Sequence, residues 1–316
     1  MENRFSHRDR PYYALDYYFK DTYGEKVYKI AIDGGFTCPT RDGAKDTRGC
    51  IFCSASGSGD FSVKKSSYPD INSQIERGIS LFRGKQIGSK YIAYFQAFTN
   101  TYASANYCQT LYEEALSHPS VLGISIATRP DCVGEDIIKV LADCKKKYPD
   151  KFIWVELGLQ TIHESSIQYI RRHYETDIVS PLINSLKSHD IPVILHVILG
   201  LPGETKQMML ETISFVNQME VFGVKLQLLH VIKGTDLASD YEKGTFEVLK
   251  KEEYISLLSD MISHLSPEII LHRVTGDGPK DLTIAPIWSL NKLDVLNSLH
   301  KYLKNHEIYQ GKFYQE

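Results

Sequence analysis

Short apolar runs recur along this chain at intervals that leave room for a helix between successive runs. Residues 27–32, 91–96, 121–127, 152–159, 192–199 and 224–229 are β-like, rich in branched and aromatic side chains. Residues 104–117, 135–147, a stretch ending near 187 and a segment opened by Glu204 and Thr205 read as helices between them. This alternation predicts parallel strands covered by helices. Six such units predict an α/β fold, an open six-unit (β/α)6 partial TIM barrel, rather than a closed eight-unit barrel. Residues 269–272 form a further short run placed to extend the sheet. Leu290, Leu293, Leu296 and Leu299 keep a helical spacing and predict a C-terminal helix over 289–304. No Pro- or Ser-rich linker interrupts the pattern. The partition is an N-terminal extension (1–28), a core barrel with a substrate-side segment (29–288), and a C-terminal helix and tail (289–316).

Composition changes this picture little. Of 316 residues, 42% are hydrophobic and 24% charged, ordinary for a soluble globular protein. No apolar run reaches the length that spans a bilayer, so no membrane partner is expected. The first residues are polar and lack an apolar signal core, which makes the cytoplasm the expected location. There the six cysteines would remain thiols or metal ligands.

The formal net charge of −3 gives no general attraction for nucleic acid. Locally, Arg4, Arg8, Arg10, Lys20, Lys26 and Lys29 interleave with Phe5, Tyr12, Tyr13, Tyr17, Tyr18, Phe19, Tyr23 and Tyr28. Such a mixture can stack on unpaired bases. It can equally pack over the main domain, because Glu2, Asp9, Asp16, Asp21 and Glu25 offset nearly all of its charge.

The chemistry begins after the first strand. Cys38, Cys50 and Cys53 are spaced C-x11-C-x2-C in a loop rich in Gly, Arg and Asp. Three thiolates can hold three irons of a [4Fe–4S] cube and leave the fourth without a protein ligand, unlike an electron carrier with four cysteines. Structural zinc would need a fourth ligand, and the flanking histidines are distant, at His7 and His118. Redox C-x-x-C chemistry leaves Cys38 unexplained. The cluster reading is preferred. Other polar residues gather at strand ends, where α/β folds place ligands: Gln96, Thr99 and Asn100; Thr128, Arg129 and Asp131; Glu156 and Gln160; and Gln227 with His230. Glu156 and Gln160 are candidates to hold ribose hydroxyls, or else to form an ion pair within the barrel, with Arg129 as a partner.

The whole arrangement resembles the radical S-adenosylmethionine (SAM) superfamily. Phe52 stands before the last cysteine, where that superfamily usually has an aromatic. Gly158-Leu159-Gln160-Thr161 and Gly200-Leu201-Pro202-Gly203-Glu204-Thr205 are similar to motifs of oxygen-independent coproporphyrinogen oxidases. Thr128-Arg129-Pro130-Asp131 is similar to a segment of the elongator catalytic subunit. Gly-Gly-Phe-Thr-Cys-Pro at 34–39, Arg-Asp-Gly at 41–43 and the segment 94–102 most resemble the bacterial YhcC/YtqA-type family.

The resemblance implies a [4Fe–4S] cluster on Cys38, Cys50 and Cys53 that reductively cleaves SAM to a 5′-deoxyadenosyl radical. It further implies SAM contacts from Gln96, Asn100, Glu156, Gln160, Arg172 and Gln227, with Gln96 and Asn100 standing where the superfamily often has Gly-Gly-Glu. An electron donor such as flavodoxin or ferredoxin would be a partner, and the suggested substrate is the wobble uridine of a tRNA. A porphyrinogen or other small metabolite is the alternative substrate, and a zinc-stabilised binding protein the alternative class. Asp277 is placed to close the substrate pocket. Cys108, Cys132 and Cys144 read as packed thiols, with Cys132 also a candidate hydrogen donor.

Overall fold

The structure is a computed structural model that describes residues 5–82 and 88–315. Arg4, one of the basic residues grouped with the N-terminal aromatics, lies outside the described residues.

Chain order begins with α1 (Leu15–Tyr23), β1 (Tyr28–Ile32), α2 (Ile71–Phe82), β2 (Tyr91–Phe95) and α3 (Ala105–Ser117). Next come β3 (Val121–Thr128), α4 (Glu135–Lys147), β4 (Phe152–Gln160), α5 (Glu164–Tyr169), α6 (Val179–Ser188), β5 (Val193–Leu199) and α7 (Lys206–Gln218). The chain then forms β6 (Gly223–Leu228), β7 (Val231–Ile232), α8 (Asp236–Glu242), α9 (Lys251–His264), β8 (Ile270–Arg273), β9 (Thr283–Ala285) and α10 (Lys292–Asn305).

Seven parallel strands pair in the order β1-β2-β3-β4-β5-β6-β8 and curl into a half barrel. The six predicted units are present, and residues 270–273 add the seventh strand. Their sequences are near-continuous apolar runs because helices cover the outer face while the inner face lines the barrel. Sequence reading missed α1, α2, α8, α9 and the antiparallel pair β7–β9. The pair is too short to carry a period. The buried face of α9 (Tyr254, Ile255, Leu258, Met261, Ile262) does have helical spacing, a signal that was available. Among the described residues no helix is long and apolar enough to cross a membrane.

The N-terminal extension closes the bottom of the barrel. Phe19 is 1% exposed and stacks on Trp154 at 5.7 Å, in a cluster with Ile92, Phe152 and Ile194. Tyr12 and Tyr17 join the main core. Arg8 pairs with Asp21 at 2.8 Å and Arg10 with Asp16 at 2.6 Å. Of the two readings of this aromatic and basic segment, the structure shows packing over the barrel. Its buried rings are spent on the core and are not displayed for stacking on bases.

The outer edge of β8 is covered as well. Ala14 bridges Leu271 in parallel, and Leu271 donates to the Tyr13 carbonyl at 2.8 Å. Gln310 secures this seam: its amide donates to the Ser266 and Ile269 carbonyls and accepts from the Tyr13 N–H.

The barrel interior is layered. On most strands the cavity-lining positions are two residues apart, as the pleat requires: Lys29 and Ala31, Tyr94 and Gln96, Glu156 and Gly158, His196 and Ile198, Lys225 and Gln227. The first of each pair forms a polar middle layer above the aromatic plug. Ala31, Ala127 and Gly158 in the next layer are small and leave a hollow. That hollow opens toward the loop after β1.

Candidate active site

A cavity of about 570 Å³ runs from the cysteine loop into the barrel. Its size lies within the roughly 300–1,000 Å³ typical of small-molecule sites. Cys38, Cys50 and Cys53 line it together with Gln96, Glu156, Gln160, Arg172 and Gln227. Of the residues predicted to hold the cluster or SAM, only Asn100 stands behind its wall.

The cysteine loop is held from both sides. Arg41 donates to the carbonyls of Cys53 and Ser54 at 2.9 and 2.7 Å, tying the start of the loop to its end. Ile51, buried between the thiols of Cys50 and Cys53 in sequence, anchors the middle: its N–H donates to Ile170 and its carbonyl accepts from Leu237. Gly49 has φ 77°, and a Cβ there would meet Arg41 Nε at 2.8 Å, so glycine is required beside Cys50.

No disulfide links the thiols. Burial pushes the Cys50 thiol up to about 12, with Cys53 and Cys38 adding to the shift and Arg129 opposing it. A thiol so placed ionises only when a cation binds it. Among the described residues no three His, Cys, Asp or Glu side chains are arranged to hold a single ion, as a structural zinc would need. Thiols that each take a different iron of a cube need not converge.

Cys108 and Cys144 are buried in α3 and α4. Cys132 lines a separate depression with Thr101, Asp131 and Asp136, so it does not face the cavity. Three cysteines on this cavity are therefore available to hold a cluster.

The predicted SAM contacts differ in how much bonding capacity they have left. Gln160 sits at φ 66°, and its buried Oε1 has no hydrogen-bond partner. An unmet buried acceptor on a cavity wall fits a ligand donor such as a ribose hydroxyl. Gln96 donates to the Ser58 carbonyl at 2.7 Å, which turns it along the cysteine loop. Gln227 lines the cavity one inward step above Lys225.

Asn100 donates to the Phe95 and Ala127 carbonyls at 3.1 and 2.8 Å and so staples the ends of β2 and β3. Arg172 is 2% exposed and uses all five donors on Leu159, Thr161, Tyr174 (twice) and Thr176. That saturation makes it the pin of the 172–176 turn. Arg129 bonds Asp131 and the Arg172 carbonyl and lies 4.9 Å from the Tyr174 ring centre. The Gly200–Thr205 motif turns β5 into α7, with Thr205 as N-cap and Glu204 accepting from Thr161; it does not line the cavity. Asp277 does line it, ion-paired to Arg273 and Lys292.

Glu156 forms the ion pair that strand-end reasoning allowed, with Lys29 and Lys225 in place of Arg129. One carboxylate oxygen accepts from Lys29 and Ser125 at 2.6 Å each; the other accepts from Lys225 and from His196, the latter at 2.7 Å. Burial alone would raise this carboxyl, but Lys225 and Lys29 hold it well below the usual carboxylate range. Burial lowers Lys225 to about 7 against the pull of Glu156, and lowers His196 to about 4. Lys29 and Lys225 are site features that sequence reading missed. Each is a lone charge in an apolar strand, and Lys225 shares its inward face with Gln227.

The chain matches the family described as "Radical SAM superfamily" over residues 47–216 and the "Radical_SAM C-terminal domain" over residues 221–305. It belongs to the radical SAM superfamily, whose enzymes use a [4Fe–4S] cluster and SAM. Within that superfamily it groups with the YhcC/YtqA-type proteins. It is 43% identical to YtqA of Bacillus subtilis (strain 168) over 311 residues, covering 98% of this chain and 95% of that protein. A more distant relative is the tRNA uridine(34) acetyltransferase of Methanocaldococcus jannaschii, 25% identical over 198 residues, 62% of this chain and 35% of that protein. The solved structure of archaeal Methanocaldococcus infernus Elp3 with an N-terminal deletion shares the fold. Its TM-score is 0.67 at 17% identity, over 90% of this chain and 64% of that one.

Proposed function

We propose that this radical SAM enzyme modifies the side chain of a tRNA wobble uridine, with Cys38, Cys50 and Cys53 as the cluster ligands. The observation that carries the radical chemistry is the placement of three unbridged thiols on one cavity, with the remaining cysteines held elsewhere. The chemistry supplied at a bound cluster and SAM is reductive cleavage of the sulfonium to methionine and a 5′-deoxyadenosyl radical. The chain's own part is to seat the reactants and exclude water. Gln160 offers its unpaired oxygen to a hydroxyl, Gln96 and Gln227 line the adjoining wall, and the cysteine loop stands at one end of the cavity.

The uridine reading draws support from the likeness to the tRNA uridine(34) acetyltransferase. Docking of tRNA would use the face around the cysteine loop, since Phe5, Tyr12, Tyr17 and Phe19 of the N-terminal segment are buried. Six free cysteines suit a reducing compartment such as the cytoplasm, where a flavodoxin or ferredoxin would supply the electron.

The test is an anaerobic reaction of the reconstituted protein with dithionite, SAM and tRNA from a strain lacking the gene. The reading requires 5′-deoxyadenosine release together with a mass change in one nucleoside. Release with a porphyrinogen or another small metabolite, and an unchanged tRNA, overturns the uridine assignment and leaves the radical chemistry standing.

A further inference from the structure

We infer that the middle layer of the barrel, built on Lys29, Glu156 and Lys225, is a receptor for an acidic group on the molecule that the enzyme modifies. Glu156 is fully buried and is the one carboxylate in that layer among the described residues. Two ammonium groups share it. The neighbours that face them are Tyr94, Trp154, His196 and His272, none of which carries a negative charge; the rings of Tyr94 and Trp154 give only cation–π contact at 4.5–5.8 Å. Arg273 also lines the cavity but brings its own partner, Asp277. With both lysines protonated the layer holds one more positive than negative charge, and an anion entering the barrel favours the charged form of Lys225, which burial otherwise lowers to about 7. A buried charge without a partner is costly, and an anion arriving through the hollow supplies that partner.

Bonding capacity agrees with the charge. Lys29 donates one hydrogen bond, to Glu156, and Lys225 donates two, to Glu156 and Tyr94, of the three N–H groups each ammonium carries. Lys29 keeps 21% of its side chain exposed and lines the cavity. Access is shaped by the layer above, where Ala31, Ala127 and Gly158 leave a narrow hollow. That opening suits a slender acid, a carboxylate or a phosphate at the end of a larger molecule. An acid seated on the lysines leaves the rest of its molecule pointing toward the cysteines along the same cavity.

The proposal rests on the reading of this cavity as the radical SAM active site, but its test does not depend on turnover. Reconstituted protein would be titrated with acetate and with inorganic phosphate, at ionic strength held constant with chloride, and the thermal midpoint recorded. One of the two anions should raise the midpoint of the wild type in a saturable way, and which one does so distinguishes carboxylate from phosphate. Lys29→Gln should weaken that anion about tenfold or more. Glu156→Gln removes the competing carboxylate and should tighten it. A purely structural network predicts the opposite for Glu156→Gln: lower stability and no gain in anion affinity. Where Glu156→Gln fails to fold, Lys29→Gln and Lys29→Arg decide the matter, since arginine should restore the response and glutamine should not. An equal response in the wild type and Lys29→Gln, or none in the wild type, overturns the receptor. SAM cleavage without substrate, followed as 5′-deoxyadenosine, reports separately on the radical chemistry.

Discussion

The rim and the floor of this cavity are both rich in polar residues, yet they are built on opposite terms. At the rim Gln160 carries an acceptor with no partner, and each thiol has a single hydrogen-bond contact: Cys38 with Thr40 Oγ1 at 3.1 Å, Cys50 with the Arg171 carbonyl and Cys53 with Ser58 Oγ at 3.7 Å each. On the floor Glu156 is filled by four donors, while Lys29 and Lys225 keep N–H groups to spare, and beside the rim Arg172 spends every donor it has. Burial does not separate the two kinds of group, because Arg172 is as hidden as any core leucine. Unspent bonding capacity does. A polar side chain whose valence is already filled holds the fold, and one left open on a cavity wall is where a ligand fits.

The largest effect that tests this contrast is at the thiols. Cys→Ala at 38, 50 or 53 should abolish iron incorporation and 5′-deoxyadenosine release while the apo-protein's unfolding midpoint stays within about 3 °C of wild type. Loss of folding along with iron would make the loop part of the core.

Next in size are the saturated groups. Arg172→Met strands the carbonyls of Leu159, Thr161 and Tyr174 and should cost about 3–5 kcal/mol in urea unfolding. A stable Arg172→Met protein with weakened SAM binding would reassign this arginine to the ligand. Phe19→Ala opens the barrel plug and should cost about 3–4 kcal/mol by the same measurement.

Gln160→Ala is the counter-case. Stability should change by less than about 1 kcal/mol, while the KM for SAM rises about tenfold through the lost hydrogen bond.

A further effect is in acid. His196 titrates in the folded state near 4 rather than 6.5, because burial disfavours its charged form. The unfolded chain therefore takes up that proton first, and stability should fall as pH drops from about 6.5 to 4. His196→Asn should flatten that part of the pH–stability curve; an unchanged slope would place the acid response elsewhere.

The strands were legible because each is a short apolar run, and the cysteine loop because thiols at that spacing have few other uses. The network on the floor was not. Glu156 reads in sequence as one acid in an apolar strand, and its partners lie 127 and 69 residues away. Only the curl of the sheet brings β1, β4 and β6 around a common axis. The role of Arg172 was hidden for a related reason: its partners are main-chain carbonyls, and any sequence supplies those. The N-terminal aromatics fitted either base stacking or packing until Phe19 was seen against Trp154.

The seam at β8 has a consequence for how the protein is made. Residues 13 and 14 leave the ribosome early, but the strand they cover, at Leu271, and the glutamine that locks them there, Gln310, are synthesised near the end. Until late in translation residues 13 and 14 have no strand to pair with and Tyr12 lacks its His300 partner, although the partners of Phe19 are complete by residue 194. A nascent chain halted before residue 271 should be protease-sensitive at its start, and release of the full chain should protect the beginning and the end together.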